Sequence, residues 1–299
     1  MPQAEKQTAQ SPAALHSFKR ILLATDFSVR SAAAVPYARL LAEYYGALVV
    51  VVHVIPAEEQ ADGETETQAE IDQTLKLAES KVRAFLAENP LGRVPYEIVV
   101  GRGAVWQVFA PLVEKQHIDL IVLGTHGWST VGKLLLGSVA QHIFNVAPCP
   151  VLSISPRART LGDVTGRPPR ILFATNFLPA SLKALYYALS LAKASHAELL
   201  LLHALGASES GSPEIVQAYH QHLNALIPAG EKNWCRSDTL VAAGDPDRAI
   251  LDAAERHAVD FIVMGAHAVE GSLSTFQVAL STAYRVVAHA PCPVLRVRS

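Results

Sequence analysis

Short, continuously apolar runs alternate along this chain with longer stretches in which apolar residues recur every three or four positions. Ile21–Ala24 is the first such run, closed by a polar turn at Thr25–Asp26. The stretch after it predicts a helix that Ser28 can cap through its hydroxyl and that ends near Gly46, a natural helix-terminating residue. Pro36 falls inside that helix and is expected to kink it. The run ALVVVVHV from Ala47 is β-branched and apolar throughout, the pattern of a parallel strand buried on both faces. A charged helix is expected from about Glu64 to Asn89, with Ile71, Leu75, Ala78, Val82 and Phe85 forming one apolar stripe. A third strand is expected at Tyr96–Val100, followed by a Gly101-Arg102-Gly103 turn. The next helix runs to about His117, with Val105, Val108, Phe109, Leu112 and Val113 inward. A fourth strand at Asp119–Leu123, a helix after Gly137 and a fifth strand at Val151–Ile154 complete the unit.

The same unit then recurs. ILLATDFSVRSAAAVPYARLLAEYYGALVVVVH begins at Ile21, and ILFATNFLPASLKALYYALSLAKASHAELLLLH begins 150 positions later at Ile171; thirteen of the 33 positions are identical without a gap. HIDLIVLGTHG from His117 matches AVDFIVMGAHA from Ala258, and APCPVLSI from Ala147 matches APCPVLRV from Ala290. Three matched blocks in the same order identify a duplication. The expected organisation is a disordered leader over 1–17, one domain over 18–155, a Pro- and Gly-containing linker over 156–169, and a second domain over 170–299. Alternating strands and helices give the fold class: α/β, two tandem doubly wound domains, each a Rossmann-like five-stranded parallel sheet with helices on both faces.

Composition narrows the functions. The 299 residues are half hydrophobic, with 25 basic and 27 acidic side chains and a formal net charge of −2. That balance disfavours non-specific binding to nucleic acid or anionic membrane, each of which requires a basic surface. Cys149, Cys235 and Cys292 are too few and too scattered for a disulfide framework or a thiolate metal cage, and are expected to be small buried hydrophobes in a reducing compartment. The apolar runs are strand-length, and the polar first 17 residues lack a signal-peptide core, so the expected location is the cytoplasm.

In doubly wound sheets ligands bind beyond the carboxyl ends of the strands, at the topological switch point. Two clusters fall there in the first half. One is Ala24-Thr25-Asp26. The other is Gly124, two residues, Gly127, nine residues, then Gly137-Ser138 opening a helix. Glycine at 124 and 127 is expected to allow close backbone approach to a ligand and positive φ. A helix N-terminus at Gly137-Ser138 favours an anion, and the Ser138 hydroxyl can donate to a phosphate oxygen. The Asp26 carboxylate can accept from a ribose hydroxyl or approach a phosphate-bound cation.

These residues resemble the universal stress protein family, whose ATP-binding members carry Gly, two residues, Gly, nine residues, Gly-Ser/Thr. The first half matches at Gly124, Gly127, Gly137 and Ser138, at the strand-one aspartate Asp26, and at His53-Val54 of strand two. The resemblance, over about residues 18–155 and 168–299, implies an adenine-nucleotide-hydrolase-like fold and a function as an ATP-binding stress-response regulator. It implies that Thr25, Asp26, Val54 and Leu123 line the adenine and ribose side. Gly127, Gly137, Ser138 and Val139 would hold the phosphates, with Mg²⁺ or Mn²⁺ bound mainly through them. His126, between the two glycines, could reach a phosphate, though loop histidines are commonly solvated. The family's domain pairing through the last strand implies an intrachain pseudo-dimer, and by analogy a homodimer of chains.

The second half departs from the motif. Asn176 replaces Asp26, Ala204 replaces Val54, Ala268 replaces Gly127 and Leu280 replaces Gly137, while Gly265 and Ser281 remain. This half is expected to be mainly structural, with a different ligand as the alternative. His53 and His203 recur at equivalent places and are expected to pack rather than bind. Lys133 and Arg102 lie in strand-end loops and could neutralise phosphates, though solvated surface is the plainer reading. Two other functions stay open: a slow ATP hydrolase, which lacks a P-loop lysine or visible general base, and a nucleotide-free scaffold.

Overall fold

The computed structural model describes residues 15–56, 67–125, 137–159, 167–206, 212–266 and 281–298. The leader up to residue 14, linker residues 160–166, His126, Gly127, Lys133, Ala268 and Leu280 lie outside them. In the first half the elements are β1 (Arg20–Ala24), α1 (Val29–Ala32), α2 (Val35–Tyr45), β2 (Leu48–Ile55), α3 (Gln68–Glu88), β3 (Tyr96–Arg102), α4 (Val105–Lys115), β4 (Leu120–Gly124), α5 (Ser138–Val146) and β5 (Val151–Ile154). The second half repeats them as β6 (Arg170–Ala174), α6 (Pro179–Ser195), β7 (Glu198–Leu205), α7 (Pro213–Leu226), β8 (Ser237–Ala243), α8 (Pro246–Arg256), β9 (Phe261–Ala266), α9 (Thr282–His289) and β10 (Val294–Arg298).

All ten strands form one sheet in the order β3-β2-β1-β4-β5-β10-β9-β6-β7-β8. Within each half every pairing is parallel. The halves join through an antiparallel β5–β10 pair in which Leu152 faces its own repeat counterpart, Leu295. A local pseudo-twofold axis therefore passes between those two leucines.

Alternation along the strands separates the two faces. In β1, Ile21 and Leu23 enter a core that runs across both halves beneath α2, α3, α6 and α7, while Leu22 enters the opposite one. On that opposite face each half has its own core, under α4 and α5 in the first and under α8 and α9 in the second. Phe144 of α5 crosses into the second-half core.

Three expectations are corrected. The helix predicted from Ser28 to Gly46 is two helices, α1 and α2, divided at Ala33–Ala34. Pro36 sits in the first turn of α2, where its missing N–H has no intrahelical partner to lose. Tyr186 holds the corresponding place in the repeat, and α6 runs unbroken over 17 residues. The third strand extends to Arg102, so Gly101 is a strand residue and only Gly103, at φ 122°, makes the turn. A side chain at Gly101 would meet Val108 of α4 at 2.4 Å, so that glycine is set by helix-on-strand packing. Ser28 caps α1 as expected, accepting from Ser31 N, and Gly46 terminates α2 at φ 64°.

Candidate functional site

A cavity of about 300 Å³ lies at the carboxyl ends of β1, β2 and β4, on the α4–α5 face and at the point where strand order reverses. It brings together eight residues singled out from the sequence: Thr25, Asp26, Val54, Leu123, Gly124, Gly137, Ser138 and Val139. Sequence reasoning missed its apolar wall from α4 and α5, formed by Val105, Phe109 and Ile143. Their helical spacing marks them only as inward-facing. Arg102 does not line the cavity.

The turn after β1 is built by a small hydrogen-bond network. Thr25 Oγ1 accepts from Phe27 N at 3.1 Å and lies 3.1 Å from Ser31 Oγ. Asp26 Oδ1 accepts from Ser28 N at 3.0 Å and from the Ser28 hydroxyl. One carboxylate oxygen is thus committed to orienting Asp26 beside the cavity. Phe27 sits in the left-handed region at φ 64°, an uncommon place for a bulky residue. The His53 ring lies 4.2 Å from the Phe27 ring, and His53 Nδ1 is 2.9 Å from Thr25 O. A carbonyl oxygen only accepts, so Nδ1 carries the proton. The second half repeats this: Phe177 at φ 59°, His203 Nδ1 at 2.9 Å from Thr175 O, and Thr175 Oγ1 at 3.0 Å from Ser181 Oγ. The paired histidines are struts for the turn, in keeping with the packing role read from their repetition.

Gly124 needs a different reason from the one its motif suggests. Its φ is not positive, and a Cβ there would stand 2.5 Å from Arg30 O in the backbone of α1. Gly265 is the same case, with Ala180 C and O and Ser181 N all at 2.4 Å. The missing side chain admits a helix rather than a ligand, which explains why this glycine survives in the half whose motif is otherwise eroded.

The helix openings differ between the halves. Gly137 is the N-cap of α5 and offers no side-chain acceptor to the first-turn N–H groups. Its own N–H is held at 2.7 Å by Thr125 O, which fixes the entry of the helix beside the cavity. Ser138 and Val139 line the cavity at that end. In the second half the helix begins one residue later in the repeat frame. Ser281, the counterpart of Ser138, becomes the N-cap and accepts from Tyr284 N at 3.2 Å. Among the described residues no side chain caps the N-terminus of α5, whereas Ser281 takes one first-turn N–H of α9.

The second half nonetheless keeps a cavity of about 340 Å³ at the equivalent strand ends. It is lined by Asn176, Ala204, Met264 and Ser281 among others, and by Phe144 and Asn145 from the first half.

Two doubly wound halves on one sheet, each with a cavity at its strand ends, define a tandem α/β protein whose cavities lie at the switch points of the fold. The model of the universal stress protein family matches residues 17–155 and 169–298, and the chain belongs to that family. A universal stress protein of Thermus aquaticus is 38% identical over 138 residues, covering 46% of this chain and 98% of that one. The crystal structure of a universal stress protein from Archaeoglobus fulgidus shares the fold across 93% of this chain and 98% of its own, with TM-score 0.71 and 20% identity. A shorter universal stress protein, solved in complex with cAMP, aligns to 43% of this chain and 95% of its own at 20% identity and TM-score 0.33.

All three cysteines are buried and unbridged. Burial pushes the Cys149 thiol up to about 12 and the Cys235 thiol up to about 11, and raises Cys292 as well. Among the described residues no helix is long and apolar enough to cross a membrane.

Proposed function

We propose that the first-half cavity binds ATP and that the protein is a nucleotide-responsive regulator, its second half chiefly completing the shared sheet. The observation that carries this reading is the N-terminus of α5 at the cavity, uncapped by any side chain among the described residues, against the serine-capped N-terminus of α9. Uncapped N–H groups and the positive end of a helix dipole favour phosphate. Asp26, oriented by Ser28, would accept from a ribose hydroxyl, and Val54 and Leu123 would flank the base beside Phe109 and Ile143. His126 and Gly127, which the family motif assigns to the phosphates, lie outside the described residues. Asp26 is the one ionisable side chain among the described lining residues, so most of the phosphate charge would be offset by an accompanying Mg²⁺ or Mn²⁺.

Calorimetric titration of the full chain with MgATP tests this. One site per chain is expected, and Gly137→Leu, which copies the second half, should abolish it. Binding that survives Gly137→Leu, or that is absent from the native chain, would overturn the reading.

A further inference from the structure

We propose that the second-half cavity is a binding site for a small organic monoanion, a carboxylate with an apolar body, anchored by the Arg296 guanidinium. Arg296 lies on β10, is 2% exposed and borders the cavity. It reaches across the junction to the C-terminal end of α5, where Nη1 donates to Phe144 O and Nη2 to Ala147 O. Those bonds use two of its five N–H groups, the Phe144 ring lies 4.7 Å from the guanidinium carbon, and its Nε is sealed in the protein with no hydrogen-bond partner among the described residues, so the remaining Nη hydrogens are those left for a ligand. None of the ion pairs among the described residues includes Arg296. Burial lowers this guanidinium to about 10, so it keeps its charge at neutral pH.

A buried, protonated guanidinium without a carboxylate is costly, and such charges are ordinarily paired. Here the space for a partner is beside it. The rest of the wall is mainly apolar, with Phe144, Leu202, Ile250 and Met264 suited to a hydrocarbon body. A nucleotide suits this cavity less well. Ser281 occupies one first-turn N–H of α9, and Asn176 stands where the first half has a carboxylate. The anionic end of the ligand would therefore lie toward the β10 side of the cavity, near Arg296. The first half has no counterpart, because Ser153 occupies the position equivalent to Arg296.

Sodium octanoate serves as the probe, titrated calorimetrically into the full chain, with octanamide as a neutral analogue of the same length. Octanoate should bind at one site per chain and raise Tm, and octanamide should bind at least roughly tenfold more weakly, since its oxygen still accepts from the guanidinium but carries no negative charge. Arg296→Met should lose at least roughly tenfold in octanoate affinity, while its Tm reflects both the removal of a buried charge and the loss of the donors to Phe144 O and Ala147 O. Ala204→Phe keeps Arg296 but fills the cavity, and should also weaken octanoate binding, which retains a test if Arg296→Met fails to fold. Saturating MgATP should leave octanoate binding intact. Absent binding, equal affinity for octanamide, full affinity in either variant, or displacement by MgATP would each overturn the proposal. Only the last would put the anion in the first cavity.

Discussion

Gly124→Ala separates a glycine kept for a ligand from one kept for packing. The added Cβ would lie 2.5 Å from Arg30 O and 2.9 Å from Arg30 C, both backbone atoms of α1. To reach even a tight 3.0 Å contact, β4 and α1 must part by about 0.5 Å. Neither can rotate away as a side chain would. Overpacking of this kind costs about 1–3 kcal/mol. Gly265→Ala belongs at the upper end, because three backbone atoms of α6 stand at 2.4 Å. At roughly 2–4 °C per kcal/mol for a chain of this order of size, Tm should fall by several degrees in each variant. Gly230→Ala is the control: no atom lies within 4 Å of its Cβ and its φ is not positive, so its Tm should hold or rise slightly. Scanning calorimetry with a parallel MgATP titration reads both quantities. If Gly124→Ala keeps the native Tm but loses nucleotide affinity, the packing account is wrong and the glycine serves the ligand directly.

Further expectations rest on the same geometry. Ser281→Ala should cost about 1 kcal/mol in urea unfolding, since it removes the cap of the eight-residue α9. Ser138→Ala removes no cap and should stay within about 0.5 kcal/mol of native while weakening MgATP. With its thiol near 12, Cys149 at pH 8 holds about one part in ten thousand as thiolate, and Cys235 about one in a thousand. Labelling by a disulfide reagent should therefore be slow in the native chain and should accelerate with pH, Cys235 first; a burst at pH 8 would contradict this. Because the folded-state thiols titrate above their unfolded values, the unfolded chain loses protons first. Stability should decline as pH rises from the ordinary thiol range toward about 11–12, as followed by urea midpoints.

The fold was legible because both its periodicities are strong. β1 and β2 are apolar on both faces, α3 carries one stripe through Ala78, Val82 and Phe85, and the repeat shows each element twice. The break at Ala33–Ala34 was harder to read. Pro36 signals a fault in a helix, but whether the helix kinks or restarts depends on how the segment before it is held, and here Ser28 and Ser31 hold it locally. The candidate site was legible as a set of strand-end residues, because glycine, serine and aspartate are conspicuous between apolar runs. Its apolar wall was not, since Phe109 and Ile143 look like any core residue. Nor was the reason for Gly124, which lies in a contact with α1 nearly a hundred positions away. The one-residue shift in helix start that turns Ser281 into a cap was equally hidden, because the serines align in the repeat.

The junction also explains why two unlike halves in one chain suit this protein better than two copies of one half. The antiparallel β5–β10 register puts Val151 opposite Arg296 and Ser153 opposite Val294, symmetric about the Leu152–Leu295 pair. Positions 153 and 296 are diagonal neighbours on one face, at a separation of roughly 7–8 Å and somewhat less between their Cβ atoms. A symmetric dimer of the second half would place a buried guanidinium at both. Each would then be desolvated and would also face a like charge with no carboxylate between them. Duplication within one chain lets a serine hold one of the two positions. It thereby permits a single buried arginine to reach the carbonyls that end α5, the helix whose other end opens on the first cavity.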